Sequence, residues 1–372
     1  MVFFSARFWP SFVFLEGNEG AGMKLLEPDI LFNFNQIINM KLLFTLLMTN
    51  FILSFQSGNT SNKDSVSTTN YELVKSWPQL SKDYNLGQPT GIGIDQNDHI
   101  FVFHRASRKW TNPFPDVFIS ENTVLELDNE SGKIINAWGA NAFIMPHGLT
   151  VDKQNNIWLT DVALHQIFKF SHDGKLLMKL GVAKVPGNDS LHFNLPTDIA
   201  VADDGSFYVS DGYGNSRVVK FSSTGKYIKS WGTYGNKPGE FIIPHGIALD
   251  KNNTIYVADR ENNRVQLFDT IGNFLKEIKN DMQVEQTPSI AINNEGHLFA
   301  IDYDPTINKD STVKGSTIYE FDSTLGTINH FGANGSAERT TSWFHDIAID
   351  SKGYVYVGDI ISNQVLKFKP KK

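Results

Sequence analysis

Three histidines of this chain, His147, His245 and His345, each open a nearly identical phrase that ends in aspartate. The intervals between them are 98 and 100 residues. If the repeats close into a ring, the three imidazoles converge on its axis. Three histidines with a fourth position left open are the ligand set of a catalytic zinc. The alternative is ordinary polar residues at a channel mouth, because Thr90 and Thr197 fill the same slot in other repeats.

Six sequence repeats must position these histidines. Each repeat has an apolar alternation, a polar turn and a second β-rich run that ends fifteen positions after the start of the repeat. The repeats begin at Pro89, Pro146, Pro196, Pro244, Thr287 and Phe344. The second runs end at His104, Asp161, Asp211, Asp259, Asp302 and Asp359. We interpret the five recurring aspartates as structural residues that form turns.

Short β-rich runs, divided by Asn, Asp and Gly, predict four strands in each repeat. Helical periodicity is missing from the body of the chain. The sequence therefore predicts an all-β fold, a six-bladed β-propeller. The last repeat lacks an outermost strand, whereas segment 71–77 precedes the first repeat without a repeat of its own. We expect this N-terminal segment to complete the last blade, which removes an open sheet edge.

The N-terminal region is expected to carry an export signal. Met40 and Lys41 are followed by the apolar run 42–55 and then by small polar residues, which is typical of a signal peptide over residues 40–57. Residues 1–39 would make an unusually long leader, so Met40 is a candidate initiator. Residues 58–70 are predicted to be a disordered linker and 71–372 the propeller domain. We expect a secreted or periplasmic protein. The alternative is a membrane anchor, for which the apolar run is short.

Composition excludes several classes of function. The net charge of −7 argues against a nucleic-acid partner, because phosphate binding needs a clustered positive surface. The chain has no cysteine, which excludes disulfides, thiolate metal ligands and thiol nucleophiles. We expect a monomer that binds a peptide or a small molecule.

Several short motifs also point to one enzyme family. They occupy residues 104–105, 146–149, 161–166, 210–213, 215–217, 258–262 and 345–347. In order and approximate spacing, these motifs resemble the lyase domain of the peptidylglycine α-amidating enzyme. The repeats themselves resemble NHL repeats, and this resemblance covers the chain from about Tyr71 to its end.

The resemblance implies a zinc-dependent peptidyl-α-hydroxyglycine α-amidating lyase, which splits a C–N bond to give a peptide amide and glyoxylate. It implies that a separate monooxygenase supplies the hydroxylated substrate. It places the zinc ligands at His147, His245 and His345, a catalytic base at Tyr213, and two active-site arginines at Arg105 and Arg260.

A structural calcium in the channel is a further implication of the resemblance. Its ligands would be the carboxylate of Asp346 and the main-chain carbonyls of Ile92 and Leu149. An oxygen-rich set of this kind suits a hard cation. Asp198 fills the slot of Asp346 in another repeat, so an aspartate can stand there without a metal.

The positions of Tyr213, Arg105 and Arg260 agree with such roles. All three follow the end of a second run, which places them on one face of the ring. A guanidinium suits a substrate carboxylate, and a phenol that has lost its proton beside positive charge can take a hydroxyl proton. The alternatives are arginines that pair with a neighbouring blade and a tyrosine in the core. For the whole protein, the alternatives are a non-catalytic NHL interaction module and a lactonase-type propeller hydrolase.

The chain also departs from the family pattern. Gly214 stands where the animal enzymes carry a cysteine, so the loop at Tyr213 must be held by other means. Trp343 and Phe344 replace a methionine and a proline beside the third histidine. His165, His172 and His192 have no matching partners in other repeats, and we interpret them as surface residues or as residues behind the site.

Overall fold

The computed structural model describes residues 70–81, 84–279, 286–303, 315–332 and 342–371. Within these ranges, 24 strands form six antiparallel sheets of four strands each. The predicted all-β, six-bladed β-propeller is therefore confirmed. The predicted leader, the signal peptide and nearly all of the predicted linker lie outside the described residues. No helix in the described part of the chain has the length and apolar character to cross a membrane.

Five blades are built from four strands consecutive in sequence. Blade 1 contains β2 (Pro89–Ile94), β3 (Ile100–His104), β4 (Val124–Leu127) and β5 (Ile134–Trp138). Blade 2 contains β6 (Pro146–Val151), β7 (Ile157–Asp161), β8 (Gln166–Phe170) and β9 (Leu176–Leu180). Blade 3 contains β10 (Asp198–Val201), β11 (Phe207–Asp211), β12 (Arg217–Phe221) and β13 (Tyr227–Trp231).

The remaining blades follow in chain order. Blade 4 contains β14 (Pro244–Leu249), β15 (Ile255–Asp259), β16 (Arg264–Phe268) and β17 (Phe274–Lys279), with a 3₁₀ turn at Arg260–Asn262. Blade 5 contains β18 (Ile290–Ile292), β19 (Leu298–Asp302), β20 (Thr317–Phe321) and β21 (Thr327–Gly332). Blade 6 contains β22 (Phe344–Ile349), β23 (Val355–Asp359), β24 (Gln364–Pro370) and β1 (Tyr71–Leu73).

The first strand of each repeat lies at the axis. Strands β2, β6, β10, β14, β18 and β22 contact one another in this order, and β22 contacts β2, so the ring is closed. All first strands run in the same direction along the axis. The starts of these strands and the ends of the second strands therefore share one face, which we call the entry face. The ends of the first and third strands share the opposite face, which we call the exit face.

The ends of the second strands coincide with the residues that the repeats predicted. The aspartates at these ends hold the incoming chain. Asp161 accepts hydrogen bonds from the backbone amides of Ile144 (2.7 Å), Met145 (2.9 Å) and Leu164 (2.9 Å). Such bonds satisfy buried amides that no strand pairs. The structural interpretation of the recurring aspartate agrees with this geometry.

The N-terminal strand closes blade 6 as predicted. β1 pairs with β24, and Tyr71 lies opposite Pro370. The strand is shorter than segment 71–77, because the chain turns where the amide of Trp77 donates to the carbonyl of Val74 (3.3 Å). The Trp77 side chain is buried and packs edge-on against Tyr356. Its role is thus to fill the core beyond the strand.

Closure of the ring depends on Tyr71. Its ring stacks on Phe331 with centroids 4.2 Å apart and meets Phe299 edge-on. We predict that Tyr71→Ala lowers the free energy of unfolding by about 3 kcal/mol, because it leaves a cavity between blades 5 and 6. Urea denaturation measures this change. Leu73→Ala on the same strand is the control, since Leu73 is 42% exposed, and its effect should stay within about 0.5 kcal/mol. Equal losses in both variants would contradict this role of Tyr71.

Candidate functional site

The structure brings the three predicted histidines together at the axis. His147, His245 and His345 each occupy the second position of an inner strand, in blades 2, 4 and 6. All three are buried, with exposed fractions of 1%, 2% and 4%. Their ring centroids lie 4.7, 4.7 and 5.0 Å apart. Alternate blades of a closed ring thus place three imidazoles around one point.

A hydrogen bond to the next blade orients each imidazole. In every case, Nδ1 lies within hydrogen-bond distance of a carbonyl that occupies the same slot of the following repeat. The acceptors are Thr197 O for His147 (2.7 Å), Pro288 O for His245 (2.7 Å) and Thr90 O for His345 (2.8 Å). A carbonyl can only accept, so each Nδ1 must carry the proton. The Nε2 atoms are then left with lone pairs that face the axis.

The three imidazoles are held in the neutral form. Burial, together with the charge of nearby arginines, lowers the pKa of His345 to about 3. Burial and the charge on neighbouring imidazoles and arginines depress the pKa of His147 and His245 well below the usual value. One ring nitrogen from each histidine lies within 4.8 Å of the others. Converging lone pairs on neutral rings, each oriented through its other nitrogen, are the donor set that zinc prefers.

The space between the imidazoles is small. The cavity that they line encloses about 10 Å³, which is close to the size needed for one water-sized occupant. The donor set and the volume thus fit a single ion. The role of these histidines as metal ligands stays a prediction.

The threonines in the alternate slots have a different task. The hydroxyl of Thr90 donates to the carbonyl of Pro146 (3.2 Å), and that of Thr197 donates to the carbonyl of Pro244 (2.9 Å). Each bond joins one blade to the next around the ring. The threonines therefore link adjacent blades at the channel mouth, whereas the histidines in the same slot direct their Nε2 atoms into the channel.

Tyr213 lies above the three histidines on the entry face. Its hydroxyl oxygen is 3.1 Å from Nε2 of His147 and 3.0 Å from Nε2 of His245. A phenol carries one proton, so it can donate to only one of these two nitrogens at a time. Arg260 donates from Nη1 to the same oxygen (3.3 Å), and its guanidinium lies 5.3 Å from the centre of the tyrosine ring. Tyr213 is therefore a residue of the site.

Both predicted arginines lie at this mouth, and each also has a protein partner. Arg105 is buried, donates from Nε to the carbonyl of Pro146 (3.1 Å) and from Nη1 to Gln88 (2.8 Å). Burial lowers its pKa to about 10, which leaves it charged at neutral pH. Arg260 forms an ion pair with Glu261 (2.9 Å). Arg105 thus contacts the neighbouring blade, as the structural alternative expected, and faces the site as well.

Sequence reasoning missed Trp110, which lies beside Tyr213 and Arg105 at the channel mouth. Its ring lies 5.3 Å from the ring of Tyr213 and 5.0 Å from the guanidinium of Arg105. It is 40% exposed, an unusual degree for tryptophan. Trp110 stands in the long connection between β3 and β4, outside the repeat, so no repeat position could have marked it.

Backbone bonds hold the loop at Tyr213 in the place of a disulfide. The amide of Gly214 donates to the carbonyl of Asn194 (3.0 Å), and the amide of Tyr213 donates to that of Leu195 (3.3 Å). His165, interpreted above as a residue on the surface or behind the site, supports the same segment, since its Nδ1 accepts from the amide of Leu195 (3.0 Å). A methyl group at Gly214 would lie 2.2 Å from the Asn194 side chain. Close packing of these two segments therefore requires glycine.

The predicted calcium residues lie deeper in the channel. Asp346 accepts hydrogen bonds from the amide of Ile92 (2.7 Å) and from the hydroxyl of Ser289 (2.6 Å). Ile92 thus meets this carboxylate through its N–H and not through its carbonyl. Ile92, Leu149 and Asp346 line a cavity of about 290 Å³.

A second carboxylate faces the same cavity. Asp198 accepts from the amide of Ile247 (3.1 Å), and within the described residues its Oδ1 has no hydrogen-bond partner. Burial raises the pKa of Asp346 to about 7 and that of Asp198 well above its usual value, with the charge of Asp346 as a further cause. Buried carboxylates of this kind fit either a shared proton or a cation.

The other two histidines without repeat partners lie away from the site. His192 pairs with Asp189 at the surface (2.9 Å). His172 lies on the exit face, where it contacts Asp95 (2.9 Å) and Glu126 (3.8 Å). The sequence did not reveal the partners of His172, because they belong to the neighbouring blade.

Comparisons with known proteins agree with the fold and with the motifs. Residues 184–369 match the family model described as a 6-bladed beta-propeller, and residues 143–170 match that of the NHL repeat. The chain belongs to this family of six-bladed propellers. A solved streptogramin B lyase is similar in fold, with a TM-score of 0.55 and 13% identity over 80% of this chain and 97% of the other.

Curated relatives carry the names that the motifs predicted. Peptidyl-glycine alpha-amidating monooxygenase A of Xenopus laevis is 37% identical over 80% of this chain and 33% of its own length. Peptidyl-alpha-hydroxyglycine alpha-amidating lyase 1 of Drosophila melanogaster is 34% identical over 80% of this chain and 59% of its own length. The chain thus spans between a third and three fifths of these relatives. The resemblance to amidating lyases is confirmed.

The contact between Gly214 and Asn194 gives a test of how the site is held. We predict that Gly214→Ala lowers the free energy of unfolding by about 1 to 3 kcal/mol, because the new methyl group overlaps the Asn194 side chain. Adding Asn194→Ala should restore most of this loss, as measured by urea denaturation of the single and double variants. Gly326→Ala is the control, since an added methyl group there would lie 3.5 Å from its nearest contact, on the Asp322 side chain. A double variant no more stable than Gly214→Ala would contradict the proposed packing.

Proposed function

We propose that this chain is a zinc-dependent lyase that cleaves the C–N bond of a peptidyl-α-hydroxyglycine to give a peptide amide and glyoxylate. The observation that carries the proposal is the convergence of three imidazole lone pairs beneath a phenol and two guanidinium groups. The names of curated relatives support the reaction, since several are amidating lyases.

The metal would be held by Nε2 of His147, His245 and His345. When bound, zinc supplies a Lewis acid that withdraws electron density from a substrate oxygen. The Nδ1 bonds to backbone carbonyls keep the three rings in the required tautomer without a metal. The protein therefore arranges the ligands in advance and loses little entropy on binding.

Tyr213 would act in its deprotonated form, beside the positive charge of Arg260, and accept the proton of the substrate hydroxyl. As the O–H bond breaks, its electrons form the carbonyl of glyoxylate, and the C–N bond breaks with its electron pair left on nitrogen. The nitrogen then takes a proton to become the amide, and the tyrosine can return the one it accepted. Arg260 already donates to the tyrosine oxygen (3.3 Å), which fixes the phenol above the imidazoles.

The arginines would bind the substrate carboxylate. Arg105 uses Nε and Nη1 for protein acceptors, and within the described residues its Nη2 makes no hydrogen bond. A charged guanidinium with a free N–H suits a carboxylate. Trp110 beside it would exclude water from one side of the bound substrate.

Three further parts of the proposal come from the sequence. A separate monooxygenase activity would supply the hydroxylated substrate. A structural calcium would be bound by the carboxylate of Asp346 and the carbonyls of Ile92 and Leu149, near the second buried carboxylate, Asp198. The protein would be exported by means of residues 40–57.

The first variant tests the metal ligands. We predict that His245→Ala loses the channel zinc and the release of glyoxylate from α-hydroxyhippurate, because two remaining imidazoles bind zinc weakly. Elemental analysis and a glyoxylate assay measure the two effects. His192→Ala, at a surface ion pair, should change neither. Normal turnover in His245→Ala would exclude this histidine from the reaction.

The second variant tests the proton acceptor. We predict that Tyr213→Phe keeps the channel zinc and lowers turnover about 10² to 10⁴-fold, the usual contribution of a positioned base. The change removes only the hydroxyl and leaves the ring packed against Trp110. Turnover equal to that of the unmodified protein would remove Tyr213 from the mechanism. If the protein opens lactones but releases no glyoxylate, the lactonase alternative is favoured. If it does neither, the non-catalytic interaction module is favoured.

A further inference from the structure

A second group of metal-ligating side chains lies on the exit face, opposite the three histidines. Asp95 and His99 belong to the turn between β2 and β3, Glu126 lies on β4, and His172 follows β8 of the neighbouring blade. One ligand atom from each of the four side chains lies within 4.8 Å of the others. Two imidazoles and two carboxylates from two blades thus meet at one point.

The distances between these atoms suit a tetrahedral ion. His172 Nε2 lies 2.9 Å from Asp95 Oδ2, and His99 Nδ1 lies 2.9 Å from Glu126 Oε1. The cross pairs are 3.4 Å for His99 with Asp95 and 3.8 Å for His172 with Glu126. Zinc bonds of about 2.0 to 2.2 Å place tetrahedral ligands about 3.3 to 3.6 Å apart, which lies within this range.

The carboxylates of this cluster are buried and oriented. The Asp95 side chain is fully buried, and that of Glu126 is 5% exposed. The amides of Asn97 and His99 donate to Asp95 Oδ1 (2.8 Å each), so Oδ2 is left to face the imidazoles. Within the described residues, neither carboxylate forms an ion pair with a lysine or an arginine. Neutralisation of these two buried negative charges therefore depends on the two imidazoles or on a cation that they help to bind.

Blade 2 neutralises the corresponding turn in another way. There Asp152 accepts from the indole of Trp158 (2.9 Å), and Lys169 lies 3.4 Å from the same carboxylate oxygen. In blade 1, Phe101 stands in the position of Trp158, and Glu126 stands in the position of Lys169. A hydrocarbon side chain thus replaces the hydrogen-bond donor, and an anion replaces the cation. Blade 1 thus lacks the neutralising groups of blade 2 and has two histidines in their place.

Blade 5 contains equivalents of two of the four residues of this cluster. His297 and Glu320 occupy the positions of His99 and Glu126, and they pair at 2.8 Å. The remaining two positions hold residues that supply no imidazole or carboxylate: Asn293 in place of Asp95 and Pro370 in place of His172. Blade 5 therefore retains a histidine–glutamate ion pair, and blade 1 adds the two ligands that complete a four-coordinate set.

We propose that Asp95, His99, Glu126 and His172 bind a second zinc ion that fastens blade 1 to blade 2. Two imidazoles and two carboxylates fill all four positions of a tetrahedral zinc, as structural sites do. The histidines are partly exposed, with fractions of 30% and 37%, so the ion can enter from solvent. Because the ligands come from two blades, binding stabilises the native ring over the unfolded chain.

Zinc content of the full chain tests this proposal. Protein stripped with a chelator, reloaded with zinc chloride and dialysed is analysed for zinc per chain. We expect two ions in the unmodified protein, one in His172→Asn and one in Glu126→Gln, since each variant removes one ligand. His297→Asn is the matched control in blade 5 and should retain two. Zinc should also raise the melting temperature of the unmodified protein more than that of His172→Asn.

The His245→Ala protein separates this proposal from the lyase proposal. It should keep one zinc, bound on the exit face, whichever reaction the channel performs, and His172→Asn should still release glyoxylate. The second site is overturned if His245→Ala binds no zinc, or if folded His172→Asn and Glu126→Gln both retain the zinc content of the unmodified protein. In that case, the cluster is a network of side-chain contacts that holds no metal.

Discussion

Ring closure imposes the hydrogen bond on which the candidate site depends. Each of His147, His245 and His345 donates Nδ1–H to a carbonyl of the next blade, and that carbonyl reaches the imidazole only when adjacent blades are packed in the ring. Burial then keeps the rings neutral, so three lone pairs are forced to face one another. A fold that closes six blades therefore fixes both the tautomer and the direction of the ligands.

The repeats predicted most of the fold, because each unit repeats the same local interactions. Alternating apolar residues, turn residues and the aspartate that caps the second strand recur at the same offsets, and the strand ends follow from them. The pairing of β1 with the last blade was also predictable. The last repeat lacks its outermost strand, and the segment before the first repeat supplies one. The short length of β1 was not, because it is set by a local turn at Val74.

The site was predictable where it follows the repeat and not where it departs from it. The three histidines share one repeat position, Arg105 and Arg260 share another, and Tyr213 lies one residue beyond that of the arginines. A ring places all of these positions on one face. Trp110 lies in a long connection, and the partners of His172 come from another blade, so lateral packing decides their contacts.

Anomalous scattering at the zinc edge, from crystals of the full chain, tests the central claim most directly. The account predicts a peak on the channel axis, about 2.0 to 2.1 Å from Nε2 of His147, His245 and His345. No peak at the axis in zinc-loaded crystals, or a peak bound by fewer than three of these nitrogens, would contradict it.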